Sequence, residues 1–358
     1  MRNSSANIFL TDSDCSYTDK SFEYLLWFQP SLWWMVLSKN KLDIILDSRY
    51  FSMTKKIDKN HIKLIIWNNK LEINYIKSKD TINEIIKSTK NIKQLTIEWW
   101  VSIIYAEKIQ KKSWKKLTIN KKWFFTKQRK QKTKSELEKI KKAIWIIDEV
   151  FVEIKKQAEL WKLKWKTELQ VRSIIINKIF ELGWNWESFD SIVAFWKNSA
   201  IPHHNTWKTI IWNWALLIDM WAKYKWYCSD FTRTIWVWEK NNYYENFIQI
   251  YNIVKKAHIN AYNNTKIWMT WWEIDKLARN IIKKAWYEKF FSHWLWHWIW
   301  LDIHETPTIK QISKEKILDN TVFTIEPGIY IEWKFWIRLE DIVIMQKTKL
   351  KKYSKIPL

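Results

Sequence analysis

Two glycines in 358 residues, beside 31 tryptophans, constrain this chain more than any other feature of it. Glycine supplies the positive φ of tight turns and helix ends and lets backbone approach other groups closely. An average composition brings about 7% of it, roughly 25 residues in a chain of this length. Tryptophan, the bulkiest side chain, fills neither role. The two counts together make 33 residues, about 9% of the chain, close to an ordinary glycine share. Most of the tryptophans are therefore expected to stand at glycine positions. The UGA codon is read as glycine in some bacterial genetic codes and as tryptophan in others. A gene of the first kind translated with the second table gives this composition.

The remaining composition is that of a globular chain long enough for two domains, 47% hydrophobic and 27% charged. Cys15 and Cys228 are too few for a disulfide framework or a thiolate zinc site, so a reducing, cytoplasmic setting is expected. No stretch approaches the roughly 20 apolar residues of a membrane helix. The opening Met1-Arg2-Asn3-Ser4-Ser5 leads to no apolar signal region, so no membrane association or secretion is expected. The net charge of +24 raises nucleic acid as a partner, but only seven of the 61 basic residues are arginine. Arginine is the residue of bidentate phosphate and base contacts. A lysine excess speaks of solubility and non-specific attraction, so no specific nucleic-acid partner is expected.

To about residue 125 the chain reads as short apolar runs broken by polar clusters. Residues 35–37 and 42–46 are expected strands joined by a turn at Lys39-Asn40-Lys41, residues 61–66 and 71–76 a second strand pair, and residues 81–89 a short helix. This is an α/β domain without a cluster of ligand-type residues. A polar linker spans 126–134, and Ser135-Glu136-Leu137-Glu138 is read as a capping box. The helix after it carries Ile140, Ile144, Ile147, Val150, Phe151 and Ile154 on one stripe. Thr167-Glu168-Leu169-Gln170 and Thr270-Trp271-Trp272-Glu273 are two further capping boxes. Strands are expected at 191–195, 215–220, 227–237, 322–326 and 337–345. The second part, 135–358, is therefore α+β.

Ligand-type side chains concentrate in that second part, each on or beside a strand. Asp219 ends the run Ala215-Leu216-Leu217-Ile218, and Asp230 follows eleven residues later. A turn at Lys225-Trp226 folds these two strands together and brings both carboxylates to one place. His297 sits in a histidine- and tryptophan-rich segment, Glu326 precedes Pro327-Gly328, and Glu340 closes Ile337-Arg338-Leu339. Taken singly, each has an ordinary explanation as a cap, a turn residue or a core histidine. Four carboxylates and an imidazole together form a hard, oxygen-rich set suited to two divalent ions.

Their order and contexts resemble the pita-bread metallopeptidases, in particular the proline-selective Xaa-Pro aminopeptidases and Xaa-Pro dipeptidases (prolidases). The likeness covers almost the whole chain. His293, Leu295, His297, His304 and Glu305 match the family's histidine motif, and Ser199-Ala200-Ile201-Pro202-His203 its Ser-Ala-Leu-Pro-His. Thr324-Ile325-Glu326-Pro327-Gly328 and Arg338-Leu339-Glu340-Asp341 match its last two motifs. Tyr24-Leu25-Leu26-Trp27-Phe28 and Asp47-Ser48-Arg49-Tyr50-Phe51 are similar to its creatinase-type N-terminal domain. Trp27, Trp196, Trp221, Trp296, Trp300 and Trp336 fall where the family has glycine or another small residue.

The resemblance implies an α+β pita-bread catalytic domain at 135–358 behind a smaller α/β creatinase-type domain at 1–125. It implies Asp219, Asp230, His297, Glu326 and Glu340 as ligands of two divalent ions, manganese first, with cobalt, zinc or iron as alternatives. Glu326 becomes the proton shuttle, and His203 and His304 hydrogen-bond the substrate carbonyl and the oxyanion. His293 lines the prolyl pocket, and Arg338 and Tyr330 support the carboxylates. The implied reaction is hydrolysis of Xaa-Pro bonds in peptides or dipeptides with proline second, by a homodimer. His293 and the long N-terminal part argue against methionine aminopeptidase. A non-catalytic peptide- or protein-binding member of the fold is the alternative, favoured if the tryptophans are literal.

Overall fold

A computed structural model of the chain describes residues 5–12, 32–66, 68–98, 103–120, 130–183, 190–201, 204–299, 301, 315–332 and 335–358. Residues 24–28, His203, Trp300 and His304, singled out above, lie outside them. The chain divides into two compact units, residues 1–128 and 129–358. Among the described residues no helix is long and apolar enough to cross a membrane.

The first unit is a six-stranded mixed sheet. Its strands are β1 (Ser5–Asp12), β2 (Leu32–Leu37), β3 (Lys41–Asp47), β4 (Glu72–Ser78), β5 (Gln94–Glu98) and β6 (Lys116–Asn120), in the order β4-β3-β2-β1-β5-β6. The turn expected between β2 and β3 is closed by Ser38, whose N–H donates to Lys41 O at 2.9 Å. Ile8, Val36, Ile45, Leu95 and Ile97 bury one face of the sheet against Ile82 and Ile85 of a helix at Thr81–Ser88 and Ile109 of another at Ile103–Ser113.

The expected strand at 61–66 is instead the helix Lys59–Ile65. A continuous apolar run fits either state by periodicity. Here Asp58 decides it: its carboxylate accepts from the N–H groups of Asn60 and His61 at 2.9 and 3.2 Å, capping the first turn. The partner of β4 is β3, in parallel.

The second unit opens with the 26-residue helix α4 (Lys134–Glu159), the fourth α-helix among the described residues, whose stripe of Ile140, Ile144, Ile147, Val150, Phe151 and Ile154 is buried. Its cap is not at Ser135. Thr133 is the N-cap, accepting from Glu136 N–H at 3.3 Å, while the Glu136 carboxylate accepts from Thr133 N–H at 2.7 Å. Glu136 thus serves as the third helical residue of the box rather than its second position. The boxes of α5 (Glu168–Glu181) and α7 (Trp271–Lys284) start at Thr167 and Thr270, as expected. Helix α6 (Tyr244–Asn264) lies between them in sequence.

The sheet of this unit is antiparallel: β12 (Val322–Ile325), β15 (Glu340–Gln346), β11 (Phe231–Trp236), β8 (Ala215–Met220) and β7 (Ile192–Phe195), in that order, with β16 (Lys349–Lys352) also on β15. Two expected strands are broken in the structure. The 227–237 run divides into β10 (Tyr227–Cys228) and β11, and the 337–345 run divides into β14 (Phe335–Arg338) and β15 at Leu339. β10 pairs β9 (Lys223–Tyr224), and β14 pairs β13 (Gly328–Ile331), as two short ribbons. Both breaks fall beside a ligand-type acid, Asp230 and Glu340.

The corrected cap gives a direct test. Thr133→Ala is expected to destabilise the full chain by about 1 kcal/mol in urea unfolding, whereas Ser135→Ala stays within about 0.5 kcal/mol of the parent.

Candidate metal centre

Sheet register gathers the acids. Asp219 stands opposite Thr232 in the β8–β11 ladder, and Thr232 stands opposite Glu340 in the β11–β15 ladder. Asp219, Thr232 and Glu340 thus form one row across three strands, and residues in such a row share a face of the sheet. Thr232 Oγ1 donates to Glu340 Oε2 at 2.6 Å. Asp230 sits at the break before β11, on a hairpin closed by Ser229, whose N–H donates to Ala222 O at 2.8 Å. The hydroxyl of Ser229 accepts from Ala222 N–H at 2.9 Å.

His297 comes from a separate segment laid along β12. Thr324 N–H donates to His297 O at 3.0 Å, and Glu326 N–H donates to Leu295 O at 2.8 Å. His297 N–H in turn donates to Thr324 Oγ1 at 3.0 Å. This stitching sets His297 beside Glu326, one residue past the end of β12. His297 Nε2 lies 3.2 Å from Asp230 Oδ2, 3.6 Å from Glu340 Oε1 and 3.7 Å from Glu326 Oε1. One ligand atom from each of Asp230, His297 and Glu340 lies within 4.8 Å of the others. Asp219 joins through Arg338, whose guanidinium contacts Asp219 Oδ2 and donates from Nε to Thr232 Oγ1 at 3.1 Å.

Electrostatics show what the cluster lacks. Burial, then the charge of Glu340, pushes the Asp230 carboxyl up to about 6. Asp219 and Glu326 are held well above the carboxylate range, by burial first and by neighbouring acids, despite Arg338. Burial would raise Glu340 too, but His297 and Arg338 hold it below its ordinary value. Burial would lower His297, yet Asp230, Glu340 and Glu326 hold its imidazole well above the usual range. Asp219 Oδ1 and Asp230 Oδ1 are buried without a hydrogen-bond partner among the described residues. Crowded, buried oxygens that repel one another and leave lone pairs unused are the donor set of a hard divalent cation. The residues present fit a divalent metal centre.

Next to it, His293 Nδ1 lies 2.6 Å from Trp294 O and its Nε2 meets the Tyr330 hydroxyl. A ring nitrogen facing a carbonyl carries the proton, so Nε2 accepts from Tyr330. Burial, then the Arg338 charge, pushes the His293 imidazole down to about 3, so it is neutral. Burial pushes the Tyr330 phenol upward, keeping it a donor. His203 and His304 have no described position, but the neighbour of His203 does. His204 Nε2 lies 2.9 Å from Oε2 of the buried Glu168, which also accepts from the N–H groups of Phe195 and Trp207 at 2.8 and 3.0 Å.

Sequence reading passed over Glu168, Asp275, Arg279 and Thr232. Asp275 and Arg279 are spaced i,i+4 on α7, a pattern that reads as a solvent-facing ion pair. Here it is turned inward and grips the histidine segment. Thr232 carries no signal outside strand register.

The sequence pattern of metallopeptidase family M24 matches residues 138–347. The Xaa-Pro dipeptidase of Pyrococcus furiosus is 35% identical over 289 residues, 80% of this chain and 80% of that protein. The crystal structure of the prolidase from Pyrococcus horikoshii OT3 superposes with a TM-score of 0.84 at 26% identity, covering 99% of this chain and 94% of that one. The X-Pro aminopeptidase of Thermotoga maritima MSB8 gives a TM-score of 0.84 at 28% identity, over 99% and 96%. With the acids and the histidine in one cluster and this likeness running the length of the chain, the protein belongs to metallopeptidase family M24, as a pita-bread metallo-exopeptidase of the Xaa-Pro aminopeptidase and prolidase group.

Proposed function

We propose that the chain hydrolyses the bond before proline at the second position of peptides or dipeptides, using two divalent ions held by Asp219, Asp230, His297, Glu326 and Glu340. The observation that carries this reading is the approach of Asp230, Glu326 and Glu340 to His297 Nε2. Manganese is the ion proposed first, since carboxylate oxygens dominate the donor set. Two such ions, when bound, generate a nucleophile from water at neutral pH and polarise a carbonyl.

The chain's own residues supply the rest. Glu326 is half-buried at the end of β12, where a carboxylate can accept a proton from water and return it to the departing prolyl nitrogen. A tertiary amide nitrogen leaves only when protonated, so a retained proton is what this chemistry needs. His293, neutral and locked between Trp294 O and Tyr330, presents an uncharged wall suited to a pyrrolidine ring. Arg338 holds Asp219 in place through its guanidinium, fixing the carboxylate before any metal arrives. His203 and His304 are proposed donors to the substrate carbonyl and the oxyanion. The non-catalytic alternative loses ground, because all five ligand residues are present and the relatives are peptidases.

We assign residues 1–125 to a creatinase-type N-terminal domain, 126–134 to the linker and 135–358 to catalysis. The homodimer and the cytoplasmic setting are carried from the family likeness and the low cysteine count.

Purified chain with added manganese is expected to cleave Ala-Pro or Ala-Pro-Ala and to spare Ala-Ala, with activity lost to a chelator and restored by manganese. Cleavage of all three alike, or full activity in chelator, overturns the reading. Which of the two proline substrates is cut separates dipeptidase from aminopeptidase. Asp230→Ala is expected to abolish both manganese binding by calorimetry and turnover while the far-ultraviolet circular dichroism stays unchanged. Glu326→Gln is expected to lower kcat about 10²–10⁴-fold.

A further inference from the structure

Among the described residues, eleven positions other than glycine have a left-handed backbone, and eight of them are tryptophan: Trp114, Trp161, Trp165, Trp196, Trp226, Trp238, Trp268 and Trp286, with φ between 53° and 75°. Chance placement of 31 tryptophans would put about one there, and bulky residues avoid that region more than most. Their local geometry names the residue that belongs. Helix α5 ends on a true glycine, Gly183, at φ 90°, whose N–H donates to Phe180 O at 2.9 Å. Trp161 takes the same place after α4: its N–H donates to Ala158 O at 3.0 Å and Lys162 N–H donates to Gln157 O at 2.9 Å. Trp286 takes it after α7, with Trp286 N–H on Lys283 O at 2.9 Å and Tyr287 N–H on Ile282 O at 3.1 Å. These paired bonds are the Schellman cap, whose left-handed residue is usually glycine. Trp226 is the second residue of the two-residue turn between β9 and β10, with φ positive at both Lys225 and Trp226, the place glycine takes in an Asn-Gly hairpin.

At the two most exposed of these positions the side chain does not explain its presence. The indoles of Trp114 and Trp286 are 92% and 90% exposed, so nothing packs on them. Inside, the indole N–H groups of Trp34, Trp271, Trp298 and Trp336 are buried with no acceptor among the described residues. Near the metal centre, Trp296 lies on Trp271 with ring centroids 3.9 Å apart, and Trp336 lies on Tyr330 at 3.8 Å. Aromatic pairs prefer about 4.5–7 Å.

We propose that the protein made in its native cell carries glycine at the eight left-handed positions and at 296 and 336, with UGA read there as glycine. The segments bearing His297 and Arg338 then lose two ring systems beside the metal ligands, and backbone can close around the centre. This inference stands apart from the peptidase reading, since it rests on backbone and not on activity. Tandem mass spectrometry of the protein from its native source is expected to show glycine masses at these ten positions, with UGA codons in the gene. Tryptophan masses at the caps, or UGG codons, overturn it. In the chain as written, Trp286→Gly is expected to raise the melting midpoint by about 2–4 °C, and a fall overturns the cap assignment.

A second inference, resting on the proposed metal centre, concerns what holds the histidine segment. Asp275 Oδ1 accepts from Leu295 N–H at 3.1 Å, and Arg279 donates to Phe291 O and His293 O at 3.0 and 2.9 Å. Arg279 Nε donates to Asp275 Oδ2 at 2.6 Å, locking the two together. We infer that Asp275 is a positioning residue that sets the affinity of His297 for metal. Asp275→Ala is expected to weaken manganese binding about 10–100-fold by calorimetry, with kcat at saturating manganese much less affected and with Asp275→Asn, which keeps the Leu295 bond, recovering part of the affinity. Unchanged affinity in Asp275→Ala overturns this inference. No binding by the parent chain with glycine at 296 and 336 would instead overturn the metal centre itself.

Discussion

Mutual repulsion among buried carboxylates is the constraint around which the catalytic unit is built. Two like charges about 4 Å apart repel by about 4 kcal/mol at an effective dielectric of 20. Strand register forces Glu340 and Asp219 into one row, and the β10–β11 break adds Asp230. Such a group persists only with a compensating cation, and the protein supplies part of it. Arg338 meets Asp219, and His297 meets Asp230 and the two glutamates. Two acids remain pushed well above their range, and two oxygens lack partners among the described residues. That residual deficit is the physical demand for a divalent cation.

Precision in such a site depends on the imidazole, because it comes from a segment without regular structure of its own. The segment is gripped by two elements. β12 binds its backbone at 295 and 297, and α7 binds it at 291, 293 and 295 through Arg279 and Asp275. A loop pinned at alternate residues gains much of the rigidity of a strand while keeping its side chains free to face the metals. The backbone of the neutral His293 is held by the same grip, through Arg279.

Much of this was legible in the chain. Asp219 at the end of an apolar run, Glu326 before Pro327-Gly328 and the His293-to-Glu305 spacing are local signals, and they identified the cluster. The boxes at Thr167 and Thr270 were equally plain. What escaped is part local ambiguity and part tertiary context. The run at 61–66 satisfies helix and strand alike, and only Asp58 capping its first turn selects the helix. Thr133 and Ser135 each have a glutamate three residues on, so the spacing fits both, and the structure caps the helix at Thr133. Asp275 and Arg279 look like a surface pair until α7 is turned to face the histidine segment, an orientation that no local pattern encodes.

The tryptophans pose a question of energy as well as of decoding. A non-glycine residue held in the left-handed region costs about 1–3 kcal/mol, and a buried N–H without an acceptor costs about 1–3 kcal/mol more. Eight of the first kind and four of the second together rival the whole margin of about 5–15 kcal/mol by which a domain is stable. Glycine in the left-handed places has no Cβ to clash, and at 336 it brings no indole to desolvate. The cost is also placed where function feels it, since Trp296 and Trp336 flank the residues that must close on metal. A chain that keeps all five proposed ligand residues, and carries its excess bulk at turns, helix caps and the proposed metal site, has the backbone we propose for a glycine-bearing enzyme.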